Sequence, residues 1–592
     1  MLLAGNQAAA LQVITGTPMA VALTGPELAR AVANGLGPRT TIQLDAPFAG
    51  DYFDGASTIQ PNDQVAQFNW WNPSRAIWER ESSDPAARKR YVITEFPFFS
   101  FWLGDMHPHV MALPFALLAL ALTLQLTAAS TRGPVRLAAP DLLLAAIVIG
   151  SLFTINSWEL PTYLLLALGA LALGYRGARF GWRGYALAAA PLLIASFALF
   201  LPFYLTVTSL VGGKAALVNL PLLGTISRSL GLVTWDKTPI HSFLIIFGLF
   251  LLPLAAYALT QKPEQSIGGI ELPDKQFAWR SVNRYLRWGV PVALVAGLAL
   301  GFPLLFLLPL GIYAMLLAWQ STSSPAQAFV LGAFGLGCLI TFGTELVYIR
   351  DLFENRMNTV FKFYYQVWLI WGMLAPYALW RLWSAAGQRL AKGDAVPGSA
   401  AVQRPLRRLV LPALATVLTA WLLAGALVYP ALTAGKSFTE GKLVGLEGKT
   451  PRQREPDGAA AIAWLRANAQ SSSVILEAVG PAYDTGGLGF ASVSASTGLA
   501  AVLGWESHQG QWRGGQPEVL EEAKRRAAAV AELYNTTDAA RARDLLAQYN
   551  VRYVYLGEAE RATYAPEGLA KFGQLGSVAF QQGGVTIYQI AP

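Results

Sequence analysis

Cysteine is all but missing from this chain. The single example in 592 residues, Cys338, lies in an apolar run, so there is no intrachain disulfide and no thiolate metal site. Charge is scarce as well: Asp, Glu, Lys and Arg make up 14% of the residues, against about 25% in an ordinary globular protein. No P-loop, Rossmann glycine fingerprint or GxSxG elbow occurs, which argues against a nucleotide-driven pump. The first 23 residues, MLLAGNQAAALQVITGTPMAVAL, contain no Lys or Arg and so lack the basic start of a secretory signal. Asn6 and Gln7 interrupt them early, and they read as the tail end of a membrane span.

What fills the chain instead is apolar: 54% hydrophobic residues, with 18 Trp and 29 Phe. This composition is that of a polytopic α-helical membrane protein. The net charge of +8 then gives no reason to expect nucleic acid, because cytoplasmic loops of membrane proteins collect Lys and Arg. Stretches long enough to cross run near 107–127, 138–155, 161–175, 185–205, 240–259, 288–301, 303–319, 326–344, 362–382 and 409–433, about ten spans at roughly 20 residues each. Residues 288–319 read as a kinked helix or a re-entrant pair around Gly301.

The loops between these spans alternate in charge. One set carries Arg132 and Arg136, then Arg176 and Arg183, then Arg284 and Arg287, then Arg381, and is cytoplasmic by the positive-inside rule. The opposite set holds EFPFFSFWLGDMHPH, NSWELP, TWDKTPIHS, ELVYIRDLFENRMN and everything after residue 433. All four histidines fall there. The expected organisation is residues 1–100 as a partial span and outer segment, 101–433 as the helical bundle, and 434–592 as an extracytoplasmic α/β domain. In that domain DGAAAIAWLRANA and PEVLEEAKRRAAAVAELY have helical periodicity. SSVILEAV, VRYVYLG and GVTIYQI read as strands.

Three polar clusters stand at span ends on the outer side. In FPFFSFWLGDMHPHVMALPF, Pro108 suits the first turn of a helix, with Asp105 and His107 before it and His109 within that turn. Ionisable groups cost roughly 2.5 to 3.5 kcal/mol each at the bilayer centre, so their position at a helix start is informative. They could hold a divalent ion such as Mg or Mn, relay a proton or receive a lipid phosphate; equally, they form a helix cap beside an aromatic belt. The second cluster, residues 345–366, mixes Glu345, Asp351 and Glu354 with Arg350, Arg356 and Lys362. Arg350 and Glu354 would pair on a short surface helix, and the cations suit phosphate oxygens. A solvated loop of paired charges is the alternative. In NSWELPTY, Glu159 sits in a turn too short to solvate it, beside the interface anchor Trp158. TWDKTPIH, with Asp236 and His241, reads as structural. In the last domain GWESHQGQWRGG offers Trp505, His508 and Arg513, a composition suited to stacking on a sugar.

Taken together, EFPFFSFWLGDMHPHVMALPF, NSWELPTY, ENRMNTVFKFYYQ, GWESHQGQWRGG and VRYVYLGEAER resemble the prokaryotic YYY membrane protein family, a domain of unknown function similar to GT-C glycosyltransferases. The resemblance implies a GT-C-like bundle using a polyprenyl-phosphate-linked sugar at the outer face of the cytoplasmic membrane. It implies Asp105, with Glu95 or Glu159, as catalytic acids. His107, His109, Arg350, Arg356 and Lys362 would be phosphate contacts, and Asp105, His107 and His109 would be metal contacts. Two departures stand out. The tyrosine-rich N-terminal spans of the family are missing before MLLAGNQ, so the chain looks shortened or completed by a partner chain. The short Trp motif carries Glu159 where the family has aspartate. Competing functions are a non-catalytic envelope-assembly scaffold and a lipid or solute transporter, although few polar groups lie within the spans.

Overall fold

Proline opens most helices of the first part of the chain, where its missing N–H is one that a helix start leaves unpaired anyway. Ala8–Thr15 (α1) is followed by Gly25–Leu36 (α2), which is closed at its start by a reciprocal Thr24–Glu27 capping box. Pro97–Leu103 (α3) begins at Pro97 and stops at Gly104, whose φ of 72° is the left-handed conformation that glycine adopts without strain. Pro108–Met111 (α4) runs almost directly into Leu113–Ser130 (α5). Then come Ala139–Ile155 (α6), Leu160–Leu173 (α7), Gly181–Ala198 (α8), Leu201–Thr206 (α9) and Ile240–Thr260 (α10). Pro273–Ala299 (α11), Leu307–Gln320 (α12), Pro325–Gly343 (α13), Met357–Ala391 (α14) and Gln403–Thr439 (α15) complete the helical part.

The structure, a computed structural model, describes residues 4–37, 41–43, 58–59, 68–80, 87, 89–104, 106–176, 181–207, 217–220, 224–227, 230–261, 273–321, 324–351, 353, 355–391, 403–439, 455–482, 487–512 and 516–591. Two compact units divide the chain: Met1–Val207 with Leu230–Glu440, and Thr208–Ser229 with Gly441–Pro592. The segment before residue 100 belongs to the first unit. Ala4, Ala8, Ile77, Phe96 and Phe99 share one core with Phe247, Trp368 and Trp371.

Five helical segments among the described residues are long and apolar enough to cross a membrane: Leu113–Ser130, Ile240–Thr260, Pro303–Gln320, Pro325–Gly343 and Leu409–Lys436. The expected number was about double that. Ala139–Ile155 and Leu160–Leu173 are apolar but short, and the long α14 carries Lys362 and Arg381 within its 35 residues. Residues 288–319 form a helical hairpin. Gly301, at φ 69°, makes its turn, and Asn283 Nδ2 donates to Gln320 Oε1 at 3.0 Å where the two open ends meet. Small residues let helices approach closely, as is usual where lipid removes the hydrophobic drive between them. A Cβ added at Gly311 of α12 would lie 2.9 Å from Cys338 Cβ of α13.

Cross-links sort the loops of this unit into two ends. At one end Arg176 Nη1 donates to the carbonyls of Trp319 and Ser321, and Tyr175 OH to that of Val135. At the other end the start of α5, the α6–α7 turn, the start of α10, the end of α13 and the start of α14 come together. There Thr238 meets Glu345, Lys362 meets His109, and Gln366 meets Trp158.

The second unit holds a five-stranded sheet in the order Ala500–Ala501, Val474–Leu476, Val551–Leu556, Val585–Ile590, Gly576–Gln582. The first three are parallel, and the fourth runs antiparallel to both its neighbours. Helix Pro456–Asn468 contributes Ala461 and Leu465 to one core against Ile475 and Ile587, and Pro517–Asn535 contributes Val530 and Leu533 to another.

Candidate functional site

The mouth of the first unit, at the end gathering the starts of α4, α10 and α14, carries two separate polar assemblies. The first is a closed knot. Arg356 is fully buried; its Nε donates to Glu79 Oε2 at 2.9 Å, its Nη1 to Glu345 Oε1 at 2.8 Å and its Nη2 to Thr238 Oγ1 at 3.2 Å. Glu345 also accepts from Thr238 N and Oγ1, and Glu79 from Trp235 Nε1 at 3.0 Å. Burial alone would lower the guanidinium's pKa, but the joint attraction of Glu345 and Glu79 outweighs it and holds Arg356 charged. Arg356, expected to meet phosphate oxygens, here spends its planar fork on two carboxylates.

The second assembly is centred on His109. Glu95 Oε1 lies 3.3 Å from Arg75 Nη1, and Arg75 in turn lies over the Trp71 ring at 4.4 Å. Glu95 Oε2 is 3.7 Å from His109 Nε2, with Ser100 Oγ within 3.5 Å of both. On the far side of the imidazole, Lys362 Nζ approaches Nδ1 at 3.3 Å. An ammonium can only donate, so Nδ1 accepts and the ring proton sits on Nε2, toward Glu95 and Ser100. Burial, with Lys362 and His107 adding repulsion, pushes the His109 pKa down from 6.5 to about 2, which keeps the ring neutral. Phe361 and Tyr365 flank it edge-on, each with its centroid 4.7 Å away.

Glu159 sits deeper in the same end. Its Oε1 accepts from Asn156 Nδ2 at 3.1 Å while Oε2 is buried with no partner. Burial, only partly opposed by Asn156 and Lys362, pushes its pKa up from 4.5 to about 8, so it holds its proton at neutrality. Trp158 marks the turn: its carbonyl accepts from Gln366 Nε2 at 2.9 Å and its ring meets Phe363 edge-on.

The remaining expected residues fall in several places. Asp105, Glu354 and Arg513 lie outside the described residues. His107 is half-buried, with its ring 5.5 Å from that of His109. A metal held by Asp105, His107 and His109 does not fit the conformation of His109, whose Nδ1 lone pair faces an ammonium. No group of three or more His, Cys, Asp or Glu suited to a metal occurs among the described residues. Arg350 follows a strand, Val347–Ile349 paired with Leu230–Leu232, where a short helix was expected, and its Nε is 3.4 Å from Leu230 O. Asp236 accepts from Arg80 Nε at 3.1 Å and His241 Nε2 contacts Leu23 O at 2.9 Å. In the second unit His508 is buried between Trp505 and Trp512, with centroids 5.2 Å from each.

Sequence reasoning missed Arg75, Glu79 and Ser100 as partners. It also passed over the spacing Lys362, Tyr365, Gln366, which is i, i+3, i+4 and puts all three on one helix face.

Comparison with known proteins adds a family. No curated protein matches the sequence. Among solved structures, the archaeal oligosaccharyltransferase AglB of Archaeoglobus fulgidus, in complex with an inhibitory peptide and a dolichol-phosphate, matches at 12% identity and a TM-score of 0.24. That match covers 84% of this chain and 58% of the other. A second structure of the A. fulgidus enzyme, tethered to an acceptor peptide, gives 12% identity and a TM-score of 0.26 over 83% and 57%. This chain thus spans under two thirds of the length of those enzymes, and at such scores the likeness carries no argument. The family profile described as Uncharacterized membrane protein (DUF2298) matches residues 1–371, more than half of the chain, and the chain therefore belongs to that family, the YYY membrane proteins of the sequence resemblance.

Proposed function

We propose that the chain is a membrane glycosyltransferase of the GT-C type, moving a sugar from a polyprenyl phosphate to an acceptor at the outer face of the cytoplasmic membrane. One observation carries this reading: a carboxylate, Glu95, and an ammonium, Lys362, stand on opposite sides of the neutral ring of His109 at one end of the bundle. A transfer of this kind needs both. The acceptor hydroxyl attacks the anomeric carbon and gives its proton to the carboxylate. The bond from that carbon to the phosphate oxygen breaks, and the lipid phosphate leaves with its negative charge against the ammonium. His107, before the same helix, is proposed as a further contact to the lipid phosphate, and Asp105, which precedes it in sequence, as a further candidate acid. Trp505, His508 and Arg513 of the second unit are proposed as sugar or acceptor contacts.

The test is transfer of a labelled sugar from polyprenyl phosphates by the purified chain in lipid nanodiscs. Glu95→Gln and Lys362→Met are each expected to lower the rate by about 10²-fold or more, with Lys362→Arg recovering part of it. Unchanged transfer in both variants would sink the reading. A folded chain with no transfer from any donor would favour the scaffold, a reading to which the self-satisfied Arg356 knot also lends itself.

A further inference from the structure

The face of α7 that begins at Glu159 continues through Thr162 and Tyr163, at i, i+3 and i+4. The corresponding stripe at the start of α14 is Lys362, Tyr365 and Gln366, and Lys362 acts electrostatically on Glu159. The two stripes are tied by Gln366 Nε2 donating to Trp158 O at 2.9 Å. Four buried side-chain oxygens on these stripes have no protein partner, Glu159 Oε2, Thr162 Oγ1, Tyr163 OH and Gln366 Oε1, and beside them Tyr365 hydrogen-bonds Ser100. Leaving a buried polar atom unpaired costs roughly 1–3 kcal/mol, and native proteins rarely leave one so. Four such atoms on two stripes tied by one hydrogen bond demand an occupant.

The chemistry of the four selects it. Three are hydroxyls that donate as well as accept, Thr162 Oγ1, Tyr163 OH and the protonated Glu159 Oε2, and Gln366 Oε1 accepts. Water complements such a mixture, since each molecule offers two protons and two lone pairs and needs 2–4 polar partners. A metal cation would satisfy the oxygens but leave the hydroxyl protons unplaced, and it would meet the positive charge of Lys362, which acts on Glu159 from α14. The cluster also leads somewhere. Tyr365 flanks His109, which lies beside Ser100 and Glu95.

We propose that Glu159, Thr162, Tyr163, Tyr365 and Gln366 enclose a buried water cluster through which Glu159 exchanges a proton with Glu95 at the mouth. In the exchange the O–H bond at Glu159 Oε2 breaks, a proton passes along water and hydroxyls, and an O–H bond forms on a Glu95 carboxylate oxygen. The negative charge moves to Glu159, where Lys362 stabilises it. The charged and titratable groups around the cluster are Lys362 and Tyr365 on α14, Tyr163 on α7, and His109 and Glu95 at the mouth; Asn156 hydrogen-bonds the carboxyl group. The protonated state at neutrality follows from the burial described above. This inference stands on the resting protein and is independent of the transfer reaction.

Infrared spectroscopy of the full chain in nanodiscs tests it without substrate. At pH 7 the wild type is expected to show a protonated carboxyl C=O band that Glu159→Gln abolishes and that shifts within minutes in D₂O. Tyr365→Phe, which keeps the carboxyl group, should retain the band and slow the deuterium shift about tenfold by removing one link of the chain. Absence of a band dependent on Glu159, a band that never shifts in D₂O, or a band displaced by sodium in place of D₂O would each overturn the proposal. The last of these would identify a cation as the occupant. Should Glu159→Gln fail to fold, the pH dependence of the band in wild type and in Tyr365→Phe still decides.

Discussion

Two residues set opposite electrostatic demands at the mouth. The folded chain holds the proton on Glu159 more tightly than the unfolded chain does, because burial raises its pKa from 4.5 to about 8. Its contribution to stability is complete below pH 4.5 and drains away as pH rises toward 8. His109 behaves in reverse: its pKa falls from 6.5 to about 2, so its contribution is complete above pH 6.5 and is lost as pH falls. Between pH 4.5 and 6.5 the two slopes oppose each other. Thermal unfolding across pH should therefore show a plateau in that window with a fall on either side. Glu159→Gln should flatten the alkaline limb, and its persistence in that variant would contradict the account. Arg356 gives a second test. Arg356→Ala leaves Glu79 and Glu345 buried and uncompensated, a loss of about 3–5 kcal/mol, whereas Glu79→Gln removes only one charge. A smaller loss of melting temperature in Arg356→Ala than in Glu79→Gln would contradict the knot.

Helix contacts rest on small residues more than on matched charge. Gly150 of α6 abuts the Ser196 carbonyl and Phe200 so closely that any Cβ would collide with both. Gly150→Val is expected to cost about 1–3 kcal/mol through overpacking, seen as a lower melting temperature, while a substitution at Gly169, with no neighbour within 4 Å of an added Cβ, should be tolerated. Such contacts cannot be read from one sequence, because nothing in IVIGSLF distinguishes a glycine under a carbonyl from one facing lipid. Element starts were far more legible. Pro108 sits at the first position of its helix and His107 at the cap, because the missing N–H of proline favours only that place. Strand alternation in VRYVYLG likewise matches Val551–Leu556. The strand at residues 347–349 was not read from the sequence, although VYI is β-branched and aromatic, because its partner strand lies over 100 residues away.

Across the whole molecule, the gathering of ionisable groups at span ends was legible, since hydrocarbon excludes them. The grouping within that set was not. The family resemblance named Glu95 beside Asp105 as a candidate acid but gave none of its neighbours, which in space include Arg75, 20 residues earlier, and His109. Sidedness is open to a clean experiment because the sole cysteine is buried. In a Cys338→Ser background, cysteines at Met106 and at Glu521 should react with a membrane-impermeant thiol reagent added outside cells, and one at Arg136 should not. Labelling of Met106→Cys and Glu521→Cys from opposite faces would refute the proposed arrangement.

The knot around Arg356 also carries a timetable. Glu79 is separated from its guanidinium partner by 277 positions, so during synthesis it waits while α3 through α13 are made. Until the start of α14 emerges, that acid has no counter-ion and the early segment cannot lock. Closure of the mouth thus cannot precede the synthesis of residue 356, and a ribosome-bound chain stopped before residue 356 should leave residues 68–80 open to protease.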